Sequence, residues 1–309
     1  RLPQDGRVLT KVDNKDIDLR VATMPSTQGE KIVIRILDRS SLVEGIENLG
    51  LTGQNVERFR GVINRPHGMV FVTGPTGSGK TTTLYTVLSS LKNSEKNILT
   101  IEDPVEFDLE GINQTQVNSK AGLTFAVGLR GFMRADPDII MVGEVRDEET
   151  ADVAVQSALT GHLVLSTLHT NDSVGAVARM IEMGIKPYIL ASSLSGVIAQ
   201  RLVRKVCPYC KTSYTATVEE KAALGITEDI TLYKGSGCER CSGTGYKGRI
   251  GIFEILKVSD NLKELITKDA AANRLFELAK QEGMMTLRED GVEKVLKGIT
   301  TVKELLRVT

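Results

Sequence analysis

Gly74-Pro75-Thr76-Gly77-Ser78-Gly79-Lys80-Thr81 matches the pattern G-x-x-x-x-G-K-[ST] in full. This motif has a physical role only where a buried strand turns into a helix N-terminus. Its surroundings supply both: the apolar run Met69–Thr73 precedes it, and a helix is predicted over Thr81–Leu91. The glycines let backbone N–H groups wrap a phosphate without Cβ clashes. Lys80 brings a cation to the β- and γ-phosphates, the Thr81 hydroxyl supplies a Mg²⁺ position, and the helix N-terminus adds a favourable field. Thr76, Gly77, Ser78, Gly79, Lys80, Thr81 and Thr82 are therefore the candidate nucleotide-binding residues. A glycine-rich turn with an incidental lysine is the bland alternative, and the complete motif in a strand-to-helix context argues against it. The loop alone does not separate ATP from GTP, or hydrolysis from binding.

Beyond this loop, helical segments such as Glu149–Leu159 alternate with apolar strands at Ile98–Ile101, Ile139–Val142 and Leu163–Thr167. The alternation predicts an α/β fold, a parallel sheet with helices on both faces. In an open sheet of this kind ligands sit beyond the carboxyl ends of the strands. Those ends carry Glu102-Asp103 with Glu106 behind, then Gly143-Glu144, then His169. Any one of them alone reads equally well as a cap or a loop charge. Three together point to hydrolysis, which needs a metal ligand, a water-orienting group and cations on the developing charge. Glu102 is the candidate general base, Glu144 the Mg²⁺ anchor, directly or through water, and His169 the sensor of the γ-phosphate. His162 reads equally as part of the site or as a satisfied core residue, and His67 as structural. Arg130, Arg134 and Arg146 flank the third strand, and Arg20 and Arg35 lie near the N-terminus. Each is either a solvated surface charge or an arginine finger from another domain or subunit.

Composition narrows the class. The chain has 309 residues, enough for about two domains. Lys+Arg and Asp+Glu both number 39, and this zero balance argues against a nucleic-acid partner. With 41% hydrophobic and 25% charged residues, disorder across the chain is excluded. No apolar run approaches the ~18 residues of a membrane span. The sequence opens on Arg1, without an initiator Met or a leader, and reads as a trimmed piece of a longer chain. Within residues 1–39 a turn is predicted at Pro3-Gln4-Asp5-Gly6 and a strand at Ile32–Leu37. Ser40–Leu51 reads as a linker with a short helix. After Ile250 helices are predicted, with Leu262, Leu265 and Ile266 on one face and Val292, Val295 and Leu296 on another. Thr286–Glu289 and Thr301–Glu304 both fit the capping-box spacing.

Cys207-Pro-Tyr-Cys210 and Cys238-Glu-Arg-Cys241 form two knuckles with 27 residues between them. Four thiolates make a closed tetrahedral Zn²⁺ site, structural rather than catalytic. The gap exceeds the usual span of about 15–20 residues, so reduced thiols or redox pairs remain the alternative. Arg201, Arg204, Lys205 and Lys211 make a basic cluster beside them, read as solvated surface or as a contact for acidic partner loops or lipid.

At this point the sequence resembles the secretion and pilus assembly ATPases, the RecA-like motors of type II secretion and type IV pilus extension. Ile101–Glu106 resembles that family's aspartate box, Arg134–Asp138 through Gly143–Asp147 its Walker B region, and Thr160–His162 through Ser166–Asp172 its histidine box. Arg1–Arg7 and Arg20–Pro25 resemble the end of its preceding domain, and Thr286–Gly291 its C-terminal part. Gly143 stands where a generic phosphate-loop ATPase has its Walker B aspartate, a feature the family shares. The resemblance implies a RecA-like core over 62–200 and the end of an α+β, PAS-like domain over 1–40, with a linker over 41–61. It implies a tetracysteine subdomain over 201–250 and a helical part over 251–309. It also implies a homohexamer at the inner face of the cell membrane, hydrolysing ATP with Mg²⁺. Such a motor drives pilin or pseudopilin assembly through an inner-membrane platform protein. Glu102 inherits the base, Glu144 the Walker B acid, and Arg20, Arg35, Arg130, Arg134 and Arg146 the candidacy for reaching ATP. Retraction motors of pili lack the cysteine insertion, which favours extension or secretion. A DNA-translocating relative and a nucleotide-gated scaffold with little turnover are the alternatives.

Overall fold

The structure, a computed structural model, describes residues 2–12, 15–38, 45–268 and 271–309. Arg1 and the first part of the predicted linker, Ser40–Glu44, lie outside the described residues. Two compact units are present, Arg1–Glu44 and Gly45–Thr309.

The first unit is an antiparallel meander of β1 (Gln4–Val12), β2 (Lys15–Ser26) and β3 (Gly29–Asp38). The turn predicted at Pro3–Gly6 is strand instead: Gln4 pairs with Thr23 and Gly6 with Val21. Asp18 is fully buried, and the Arg7 guanidinium forks onto its carboxylate at 2.9 and 2.6 Å.

The second unit is built on a seven-stranded sheet in the order β12-β9-β4-β8-β7-β5-β6. The strands are β4 (Gly68–Thr73), β5 (Ile98–Glu102), β6 (Asn113–Gln116), β7 (Ile139–Val142), β8 (Leu163–Leu168), β9 (Leu194–Val206) and β12 (Tyr246–Lys257). All pairings are parallel except β12 on β9. β4, β5, β7 and β8 are buried along their whole length, which is why they read as unbroken apolar runs. β9 escaped sequence reading because Gln200, Arg201, Arg204 and Lys205 interrupt its apolar residues. Its first half nevertheless lies in the core beside β4, Val197 against Phe71 and Ala199 against Thr73.

Helices α1 (Gln54–Ile63), α2 (Lys80–Leu91), α3 (Phe125–Phe132), α4 (Glu148–Leu159), α5 (Ser173–Glu182) and α6 (Pro187–Ser193) connect and cover these strands. The main core packs Phe71, Ile140, Val164 and Val197 against Ala154 and Val177. A small two-stranded sheet of β10 (Lys211–Thr215) and β11 (Thr231–Gly235) flanks α7 (Val218–Leu224). The chain ends in α8 (Asp260–Lys268), α9 (Ala272–Gln281), α10 (Leu287–Leu296) and α11 (Val302–Val308). A second core joins this part to β9 and β12 through Val203, Ile252, Leu232, Val295 and Leu305.

The two predicted caps behave differently. Thr286 and Glu289 make the reciprocal box on α10. Thr301 caps α11, but the Glu304 side chain is diverted: fully buried, it accepts the Arg204 backbone N–H at 3.0 Å and its guanidinium at 2.7 Å. Burial alone would raise the Glu304 carboxyl; the donors of Arg204 and Arg307 outweigh it and hold it at about 2. A second buried pair, Asp290 with Lys294, lies within α10, both side chains fully buried. Asp290 also accepts the Phe253 N–H at 2.8 Å and the Thr52 hydroxyl at 3.3 Å. Burial pushes the Lys294 ammonium down, with Asp290 opposing it.

Candidate nucleotide site

Strand register lines up the carboxyl ends. Ile101 lies beside Val142, Val142 beside Ser166, and Thr73 between Leu168 and Ala199. The next residues on these strands therefore share one edge: Glu102, Gly143-Glu144, His169, Gly74 and Gln200. Side-chain hydroxyls lock it, Ser166 to the Val142 carbonyl and Thr167 to the Gly143 carbonyl, both at 2.8 Å.

The phosphate loop is shaped to receive an anion. Gly79, at φ 90°, occupies the left-handed region that a side chain would strain, and it serves as the N-cap of α2 with no side-chain cap. The first N–H groups of α2 thus have no capping acceptor and point out of the helix. The Ser78 hydroxyl is buried and has no partner among the described residues, an orphan whose cost a phosphate oxygen would remove. Lys80 folds back onto the carbonyls of Gly74 at 2.7 Å and Pro75 at 3.2 Å.

Three predicted residues come together opposite this loop. Glu144, 9% exposed, accepts Arg146 at 2.5 Å and lies 3.7 Å from His169 Nε2. Burial lowers the Lys80 ammonium, opposed by Glu144. Burial also lowers the His169 imidazole, helped by the Lys80 charge and opposed by Glu144. These chains therefore share one local field, with Glu144 at its centre. Thr81 is exposed at the first turn of α2. Thr81 and Glu144 suit a hard divalent cation, which prefers one or two oxygen ligands plus water and phosphate.

Glu102 is 3% exposed and held in a cage: Tyr85 donates at 2.5 Å, Thr100 at 2.6 Å and Gln114 at 3.1 Å. A Cβ at Gly143 would stand 3.3 Å from Glu102 Cα, so any side chain there would crowd the end of β5.

The other basic candidates have the following neighbours within their own units. Arg130 pairs with Glu149 at 2.9 Å, and Arg134 donates to the Arg130 carbonyl at 3.0 Å. Arg20 and Arg35 face each other across β2 and β3 in the first unit. His162 Nδ1 contacts the Ser157 carbonyl at 2.8 Å, which favours its structural reading, and His67 is exposed.

Sequence reasoning missed a further strand end. Gln200 accepts the Thr83 hydroxyl at 2.7 Å beneath the loop. Arg201, predicted as part of a basic surface, lies against Gly74 and donates to the Asn171 carbonyl at 2.7 Å. The continuous apolar run Val197-Ile198-Ala199 before them was the available signal.

The four cysteine sulfurs all lie within 4.8 Å of one another. Cys207–Cys238 and Cys210–Cys241 are 3.9 Å apart and Cys238–Cys241 3.7 Å. A tetrahedron with arms of about 2.3 Å has edges of about 3.8 Å, so the set fits Zn²⁺. Burial raises the Cys210 thiol, while N–H donors from Cys238 and Gly245 outweigh burial and lower the Cys241 thiol.

Fold and site together define the RecA-like phosphate-loop class. The Legionella pneumophila ATPase DotB superposes with a TM-score of 0.72 at 22% identity, over 99% of this chain and 77% of that one. The pilus retraction motor PilT, solved with bound ADP, gives 0.70 at 25% identity, over 99% and 77%. The model of the type II/IV secretion system proteins matches residues 1–307, and the chain belongs to that family. It is 51% identical, over its whole length, to the type II secretion system ATPase E of Vibrio cholerae, of which it spans 62%. It is also 51% identical to the type IV pilus assembly ATPase PilB of Thermus thermophilus, of which it spans 35%. Among the described residues no helix is long and apolar enough to cross a membrane.

Proposed function

We propose that this chain is the motor part of an ATP-hydrolysing homohexamer. It drives pilin or pseudopilin assembly through an inner-membrane platform protein, working at the inner face of the cell membrane. The observation that carries this reading is the open phosphate loop, with its orphaned Ser78 hydroxyl, facing the Glu144–His169–Arg146 group.

The uncapped N–H groups of α2 and the Ser78 hydroxyl bind phosphate oxygens, and Lys80 leaves the loop carbonyls to meet the β- and γ-phosphates. Thr81 and Glu144 hold Mg²⁺, which when bound neutralises charge developing on the phosphates. His169, kept neutral by its surroundings, donates or accepts a hydrogen bond at the γ-phosphate. Glu102 orients the attacking water and takes its proton. Arg20, Arg35, Arg130 and Arg134 supply cations from a neighbouring domain or subunit. The four cysteines hold Zn²⁺ and fix the knuckles without entering the reaction.

The test is phosphate release from Mg·ATP by the intact protein at several ionic strengths, with and without DNA. Turnover that is independent of DNA and falls about 10²- to 10⁴-fold in Glu102→Gln is expected. Parental turnover in Glu102→Gln defeats the choice of base. Turnover requiring DNA, with binding that weakens steeply as salt rises, makes the chain a DNA translocase instead. Elemental analysis of protein purified without chelators should give one zinc per chain.

A further inference from the structure

We infer that Tyr85 is a positioning residue for the water-orienting carboxylate: its hydroxyl, with Thr100 and Gln114, fixes Glu102 so that one acceptor site is left for water. This rests on the reading of Glu102 as the base.

An ionised carboxylate has about four lone-pair sites on its two oxygens. Thr100 and Gln114 both donate to Oε1, and Tyr85 donates to Oε2. About one site remains, on Oε2. Each donor is itself fixed. The Tyr85 ring is fully buried and packs edge-on against Phe107, with centroids 6.2 Å apart, and its oxygen accepts the Glu106 N–H at 3.2 Å. The Gln114 amide oxygen accepts the Leu109 N–H at 2.6 Å, while its nitrogen also reaches the Phe107 carbonyl at 3.0 Å. The amide therefore has one sensible orientation.

Burial, and next to it the neighbouring Glu102 charge, raise the Tyr85 phenol well above its ordinary value, so it remains a donor throughout the working pH range. Tyr85 also belongs to α2, the helix that begins at Lys80. The helix rises about 7.5 Å between these two residues. One rigid element thus carries both the lysine for the phosphates and the hydroxyl that aims the base, so the two keep a constant separation. A core tyrosine needing only a partner for its hydroxyl would not require three donors to converge on a single, nearly dry carboxylate.

The experiment is a double-mutant cycle on ATP hydrolysis by the intact protein, using Tyr85→Phe and Glu102→Gln. Tyr85→Phe should lower kcat roughly 10- to 100-fold, part of the contribution of a well-placed base. KM for ATP and affinity for a fluorescent nucleotide should stay within about twofold, because binding is left intact. In the Glu102→Gln background, Tyr85→Phe should cause no further loss. An unchanged kcat in Tyr85→Phe, with Glu102→Gln reduced about 10²-fold or more but still measurable, overturns the inference and leaves the base standing. Losses that simply multiply also overturn it, since they mark an independent structural role. Parental activity in Glu102→Gln removes the base itself. If Tyr85→Phe does not fold, Thr100→Val, which removes a donor at nearly constant volume, takes its place, and an unchanged kcat there overturns the inference.

Discussion

The carboxyl edge of the sheet and the C-terminal helices both gather charged side chains, but they treat them in opposite ways. At the C-terminal end the charges are saturated: Glu304 meets two arginines and a backbone N–H, and Asp290 meets Lys294, Phe253 and Thr52. At the sheet edge they are left wanting. Lys80 settles for loop carbonyls, Ser78 has no partner among the described residues, and α2 has no side-chain cap. Unsatisfied polar groups cost stability and are kept where a ligand completes them. Glu102 is the exception at that edge, caged like the C-terminal acids and placed among the open groups.

The contrast can be broken by substitution. The largest effect should follow Lys80→Ala, with ATP turnover falling about 10³-fold, about 4 kcal/mol of transition-state stabilisation, while thermal unfolding stays near the parent's. A large loss of stability instead would mean that Lys80 is structural. Asp290→Ala should show the reverse pattern, about 3 kcal/mol of unfolding free energy lost because Lys294 is left buried and unpaired. Denaturant titration measures it, and an unchanged midpoint would break the claim that this end is saturated.

Glu304→Gln should cost about 2 kcal/mol, the worth of a charge-assisted network. Its carboxyl lies below the ordinary 4.5 in the folded state, so its contribution is complete above that value and is lost as pH falls towards about 2. The parent should therefore lose stability over that window, and Glu304→Gln should lose less. The smallest effect belongs to Thr286→Ala, about 1 kcal/mol for one helix cap, measurable by thermal melting.

Sequence reading reached the open region further than the saturated one, for a physical reason. A phosphate loop and strand-end acids are local signals, fixed by spacing along the chain. The Glu102 cage is not: Tyr85 lies on α2, Thr100 on β5 and Gln114 on β6, and only the sheet brings them together. Glu304 shows the same limit. Its spacing from Thr301 predicted a reciprocal box, yet Arg204, a hundred positions away in sequence, competes for the carboxylate and takes it. Arg201 failed for a related reason: a run of basic residues looks solvated until the strand carrying it is seen to lie beside the phosphate loop.

β9 has a mechanical property that follows from its pairing alone. It lies beside Thr73 at Ala199 and delivers Cys207 at its far end, roughly 25 Å of extended backbone away. Over that length β12 holds it by a hydrogen-bonded ladder reaching Val206. The ladder shifts register once, between Tyr246 and Arg249, just before it reaches Val206. One paired strand thus ties the residues beside the phosphate loop to the cysteine knuckle.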